Sequence, residues 1–221
     1  MRIDIEQIER VLFFLTGVCL VGICSILARV VHAETPARHG YVMHIQMTPA
    51  VCAFDPARKK QRKCLEGYAL TVGGLVPENV HAGCETNSSA TLSPLQAKVV
   101  ARIIPDEVAR VQLWHNVGGC MSMNATQYFR TIINYAQDLK IPAVLTDTTS
   151  HTIAKTNLEK QFLHLNPRLP ADGIVLFCQS NRNTTFLTHI SVCYKTNGGY
   201  KACTPKIVSN CPNNFTIQGI Y

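Results

Sequence analysis

Apolar positions along this chain fall into a few runs whose period sets the element expected at each. Tyr41 to Met47 is a run of strand formers bounded by Gly40 and Pro49, which predicts a central or near-central strand. Tyr68 to Val72 predicts a second strand, leading into Gly73-Gly74, where two glycines permit a tight backbone path. Ile174 to Cys178 is continuously apolar and Phe186 to Tyr194 roughly alternates, so both are expected as strands, paired antiparallel.

Between them the period changes to that of helices. Ser93 can cap, Pro94 takes the first helical position and Gln96 can close a capping box. Leu95, Val99, Ala101, Ile103 and Ile104 then supply an apolar face up to Pro105. A short helical stretch from Asp106 is expected to carry Val108 and Val111 toward Trp114. Asn124 to Leu139 predicts a longer helix, with Tyr128, Phe129, Ile132, Ile133 and Tyr135 apolar and Asn124 or Thr126 as cap. After a loop through Pro142, Thr152 to Leu163 predicts another helix with Ile153, Leu158 and Phe162 inward. The tail from Tyr200 to Tyr221 is expected as loop and edge strand, stapled by cysteines.

Composition narrows the class. A chain of 221 residues, 47% hydrophobic and 16% charged, fits one globular domain rather than a disordered segment. Residues 1–33 stand apart: Val11 to Ala28 is an uncharged apolar run, followed by Arg29 and Val31-His32-Ala33, which suits cleavage before Glu34. The run is also long enough to stay as a membrane anchor, so both readings stand, with residues 34–221 as the domain. The expected location is periplasmic or secreted. The leading segment holds three basic and three acidic residues, so the remainder keeps the whole net charge of +7. That charge suits an anionic partner without choosing one.

Setting aside Cys19 and Cys24 leaves eight cysteines, which in an exported chain imply four disulfides. Spacing alone leaves their connectivity open. No Cys-x-x-Cys pair or His cluster offers tetrahedral ligands, and neither metal nor cofactor is expected. Asn87, Asn124, Asn183 and Asn214 each open an Asn-x-Ser/Thr triplet, of consequence only in a glycosylating host. Arg58, Lys59, Lys60, Arg62 and Lys63 form a basic run that is either a solvated loop or a finger that contacts an anion or partner.

Two stretches have the outline of an active site: Leu70 to Pro77 and Gln112 to Cys120. They resemble the two signatures of the ribonuclease T2 family, an apolar strand running into His-Gly-Leu-Trp-Pro and a helical His-Glu-Trp-x-Lys-His-Gly-(Thr or Ala)-Cys. The first keeps Gly74, Leu75 and Pro77; the second keeps Trp114, Gly118 and Cys120. Tyr41 to Cys52 resembles the family's opening strand, and Tyr128-Phe129 its aromatic pair after the second signature. The resemblance implies an α+β fold with an antiparallel central sheet flanked by helices and stapled by disulfides. It implies the pairings Cys52 with Cys64, Cys84 with Cys120, and Cys193 with Cys203 nested inside Cys178 with Cys211.

The departures fall on the chemistry. The family's catalytic histidines fall on Gly73, Gln112 and Val117, its glutamate on Leu113 and its lysine on Asn116, while a base-lining Trp falls on Val76. Cleaving RNA by transesterification needs a base for the 2′-hydroxyl, an acid for the leaving oxygen and a donor or cation for the phosphorane. Gly, Leu and Val supply none of these. His115, at the family's variable position, is expected to be a stray exposed side chain, and Glu78 is a weak candidate for nucleotide binding. The expectation is a catalytically inactive, exported protein-binding module, an immunity or inhibitor protein or a part of an envelope or secretion assembly. Two alternatives remain: a divergent active endoribonuclease with an acid-base pair rebuilt from residues such as His44, His81, His115 or Glu78, and an RNA-binding protein without cleavage.

Overall fold

The computed structural model describes residues 40–78 and 86–220. The expected signal or anchor, together with His81 and Cys84, lies outside the described residues. Six strands form one sheet: β1 (Gly40–Met47), β2 (Leu70–Pro77), β3 (His151–Ala154), β4 (Ile174–Asn181), β5 (Thr184–Lys195) and β6 (Asn214–Ile217). Their order is β2-β1-β5-β6-β3, with β4 also paired to β5. Pairing is antiparallel apart from a single parallel contact between Phe186 and Thr216.

The alternation in β1 decides which face of the sheet is which. Met43, Ile45 and Met47 are buried, whereas His44 and Gln46, one residue out of phase, are half-buried on the other face. The buried face meets the helices α1 (Thr48–Phe54), α3 (Pro94–Ala101), α4 (Glu107–Asn116), α5 (Ala125–Asp138) and α6 (Lys155–Leu165) through a single apolar core, while α2 (Arg62–Leu65) reaches Gln46 through Lys63. Tyr128, Phe129, Ile132 and Tyr135 of α5 and Leu158 and Phe162 of α6 are the inward positions. Each such side chain contributes about 1.5–3 kcal/mol by leaving water. Capping boxes close at Ser93 with Gln96 and at Asn124 with Gln127, so both helix starts fall where the sequence predicts them.

Other elements depart from the pattern. β2 begins at Leu70 and continues through both glycines to Pro77 instead of stopping at Val72. His151–Ala154 is a strand, not the first turn of the helix, because it pairs with β6 and buries Ile153. β6 is interior, between β5 and β3, rather than an edge. Leu95, Val108 and Val111 are exposed and Val100 is buried instead, whereas Ile104 and Trp114 are buried as expected.

Disulfides join Cys52 to Cys64, Cys178 to Cys211 and Cys193 to Cys203. Cys120 is disulfide-bonded as well. Glu78 has a structural role: its side chain, 3% exposed, forms an ion pair with Lys201 and accepts from Gly40 N at 3.2 Å. The carboxylate thus ties the end of β2 to the start of β1 and to the tail. Removing one member of a buried pair strands the other, so Glu78→Ala is expected to cost about 3 kcal/mol in denaturant unfolding, against less than about 0.5 kcal/mol for the same change at exposed Glu107.

Candidate functional site

Three aromatic and backbone contacts set the frame of the cleft. Trp114, 2% exposed, donates from Nε1 to Ser88 O at 2.9 Å. Its ring lies 5.9 Å from that of Tyr128, whose hydroxyl donates to Leu75 O at 3.0 Å. Helix α4, helix α5 and strand β2 are therefore locked together at the point where the two signature stretches meet. Gly118 is required there, since a Cβ would come within 2.7 Å of Trp114 and 2.8 Å of Tyr128.

On this frame the two signature stretches meet at Gly73, Gly74 and Leu113. Gly73 is the extra residue of a β-bulge, for His44 pairs with Gly74 and Ile45 with Val72. It is exposed, and a Cβ on it would lie 3.1 Å from Gln46 Nε2. Gly74 has φ +151° and would bring a Cβ to 2.6 Å from Leu113 Cδ1, so the leucine of α4 packs directly against the glycine backbone of β2. Gln112 and Asn116 are exposed on α4, and Val117 ends the helix half-buried. His115 is not a stray surface group. It is half-buried on the far side of α4, with Nδ1 bonded to Thr86 O at 2.6 Å, and it holds the 86–92 segment.

The basic run does not act as one patch. Arg58 pairs with Asp55 at 2.8 Å and Arg62 with Glu66 at 2.5 Å, while Lys59 and Lys60 are exposed. Lys63 turns inward: it is 8% exposed and donates from Nζ to Gln46 Oε1 at 2.7 Å. It lines a cavity of about 60 Å³ with Gln46, Thr71, Gly73, Asp106 and Leu113. Burial and the neighbouring Arg58 lower its pKa, with Asp106 acting weakly the other way.

Solved structures of the same shape give the architecture its name. The chain matches ribonuclease MC1 from bitter gourd seeds with a TM-score of 0.62 at 16% identity, covering 80% of this chain and 98% of that one. It matches the S3-RNase of Japanese pear with a TM-score of 0.58 at 21% identity, covering 83% and 100%. Trichomaglin, an S-like ribonuclease, gives 0.62 at 13% identity, covering 81% and 97%. This chain has the ribonuclease T2 fold. No family model matches its sequence, and no curated protein matches it.

Within the T2 fold, one group of polar residues was not legible as a unit in the sequence. His44 and Gln46 of β1 stand directly opposite Ser191 and His189 of β5. His44 Nδ1 meets Ser191 Oγ at 2.9 Å, and His189 Nδ1 meets Thr188 Oγ1 at 3.0 Å. His81, the further histidine considered for a rebuilt acid-base pair, is outside the described residues. Among the described residues no group of three or more His, Cys, Asp or Glu side chains is placed to hold a metal.

Burial holds the His44 imidazole below its usual value of 6.5. Burial does the same to His189, aided by the positive charges of His44, Arg58 and Lys63. With folded-state values below those of the unfolded chain, the unfolded state binds more protons as pH falls, so this stability is complete above about 6.5 and is lost on acidification. Thermal unfolding is accordingly expected to lose more stability between pH 7.5 and pH 5 in the wild type than in a His44→Gln, His189→Gln variant. Equal losses in the two proteins would contradict this assignment.

Proposed function

We propose that this chain is an exported ribonuclease T2-like protein that does not cleave RNA and serves as a protein-binding module, as an immunity or inhibitor protein or as a component of an envelope or secretion assembly. The observation that carries the reading is Leu113 packed on Gly74. An apolar side chain fills the place where the family resemblance puts a carboxylate, and Gly73 across the cleft presents no side chain. Each acid or base is worth about 10²- to 10⁴-fold in rate, and groups that work as one unit are lost together. Disulfides joining three pairs of cysteines suit an oxidising, extracytoplasmic setting. A fold kept intact around a disarmed cleft is explained by selection on surface and shape, which is what a binding role requires.

A divergent endoribonuclease is the second reading, and His44 and His189 on one sheet face are what favours it. Against it, each imidazole has Nδ1 engaged with a hydroxyl, and Lys63 is held by Gln46.

Two measurements test the proposal. Gly73→His, Gln112→His, Leu113→Glu, Asn116→Lys and Val117→His together rebuild the family's set. The rebuilt protein is expected to cleave a fluorogenic oligoribonucleotide at least about 100-fold faster than the wild type, which stays at background. Wild-type turnover that persists through repurification would sink the non-cleaving part. Gentle extraction from the native envelope followed by size-exclusion chromatography addresses the binding part: elution in a larger complex is expected, and elution as monomer alone counts against it.

A further inference from the structure

Helix α3 is apolar on more sides than it buries. Within Pro94–Ala101 only Gln96 and Lys98 are polar, and Val100 is the residue that the helix buries. A helix apolar all round ordinarily lies inside a protein, so this one presents apolar surface that a partner could cover. Leu95 is 73% exposed and Val99 is half-buried. With Leu92 before the helix and Phe129 and Ile133 of α5 they line a groove of about 260 Å³ between α3 and α5. None of its lining residues belongs to β1, β2 or α4, so the groove is separate from the cleft. The two helices are tied together beneath it: Thr126 donates from Oγ1 to Gln96 Oε1 at 3.3 Å, and the same glutamine closes the capping box that starts α3. A groove formed in advance takes a partner without the cost of ordering its own walls.

Charge around the groove has one sign. Arg130 lines it, and on the surface of α3 Lys98 and Arg102 neighbour Leu95 and Val99, each at the i+3 position. All three cations are exposed, and none forms an ion pair with a described residue. From Thr86 to Gln137 the only carboxylates are those of Asp106 and Glu107. Asp106 accepts from Arg62 N, and Glu107 lines a different cavity with Arg110 and His115. Asp138, at the end of α5, lines another with Tyr200. A bare anion would leave Leu95 and Val99 in water, and an uncharged apolar segment would gain nothing from the cations. Apolar side chains with carboxylates beside them answer both features.

We propose that the groove between α3 and α5 is a protein-docking surface that takes an amphipathic helix whose apolar stripe is flanked by carboxylates. A helix fits because the groove runs between two helices, where a third packs with apolar anchors at i, i+3, i+4 and i+7. The inference rests on the protein-binding reading and deepens it by giving the partner a place and a chemistry.

The test uses the oxidised full chain and a labelled synthetic helical peptide with leucines at those anchor positions and glutamates beside them, against the same peptide with lysines for glutamates. Fluorescence anisotropy is expected to show the acidic peptide binding at least about tenfold tighter than the basic one, with affinity falling as salt rises. Leu95→Ser is expected to keep the wild-type Tm, because Leu95 is exposed, and to lose at least about tenfold in affinity for the acidic peptide. Lys98→Glu, Arg102→Glu and Arg130→Glu together are expected to reverse the preference, so that the basic peptide binds better. In the wild type the methyl resonances of Val99 and Ile133 are expected to shift during the titration.

Equal binding of the two peptides, wild-type affinity in Leu95→Ser, or unmoved methyl resonances overturns the proposal. A concentration-dependent dimer that Leu95→Ser disperses would assign the groove to a second copy of this chain. Binding to phosphatidylglycerol vesicles that Leu95→Ser abolishes, with no binding of the acidic peptide, would assign it to a membrane; either result overturns the proposal too. Gentle extraction from the native envelope separates the groove from the broader reading. A large complex that Leu95→Ser retains overturns the groove and leaves protein binding standing, whereas a monomeric wild type that still prefers the acidic peptide counts against the assembly and supports the groove.

Discussion

The contact between Trp114 and Tyr128, with Tyr128 hydrogen-bonded to Leu75 O and Trp114 to Ser88 O, is the constraint on which the cleft depends. It joins α4, α5 and β2 through two large rings that are almost wholly buried, and the loss of either would cost about 3–5 kcal/mol. The glycines around it follow from it. Gly118 leaves room for both rings, and Gly74 leaves room for Leu113. These residues hold two signature stretches in register whether or not the stretches carry catalysts.

That separation explains how chemistry can be removed while the architecture stays. The positions that the resemblance assigns to acids, bases and a cation sit at the rim: Gly73, Gln112 and Asn116 are exposed and Val117 is half-buried. Substitution there removes function at little cost in folding. Leu113 goes further, since its packing on Gly74 places an apolar contact at the centre of the cleft. Lys63 moves the other way, a cation brought from the loop closed by Cys52 and Cys64 onto the rim of the same cavity. At this cleft Leu113 supplies shape and Lys63 a buried charge.

Much of this was legible along the chain, and what was not has identifiable causes. Capping residues and strand alternation placed α3, α5, β1 and the hairpin of β4 and β5, because those signals are local. The short strand His151–Ala154 was hidden because it forms only through its distant partner β6. Glu78 read as a ligand contact, but its partner Lys201 lies 123 residues away. Among the basic run, only the fold separates Lys63 from its exposed neighbours: a lysine in a loop of cations carries no mark of which way it points. His44 and His189 are likewise joined by β1–β5 pairing, across a span that no motif bridges.

The proposed reading is that this T2 fold carries no transesterification centre. Its most direct test is a single-turnover experiment, with the wild-type protein in excess over an end-labelled oligoribonucleotide, resolved for 2′,3′-cyclic phosphate ends between pH 4.5 and pH 7.5. Stoichiometric excess removes any dependence on weak binding or slow release and leaves the chemical step alone to be read. The account predicts no cyclic ends above the rate in buffer at any pH. Cyclic ends that form in the wild type and vanish in His44→Ala or His189→Ala would contradict it and relocate the chemistry to the paired strands β1 and β5.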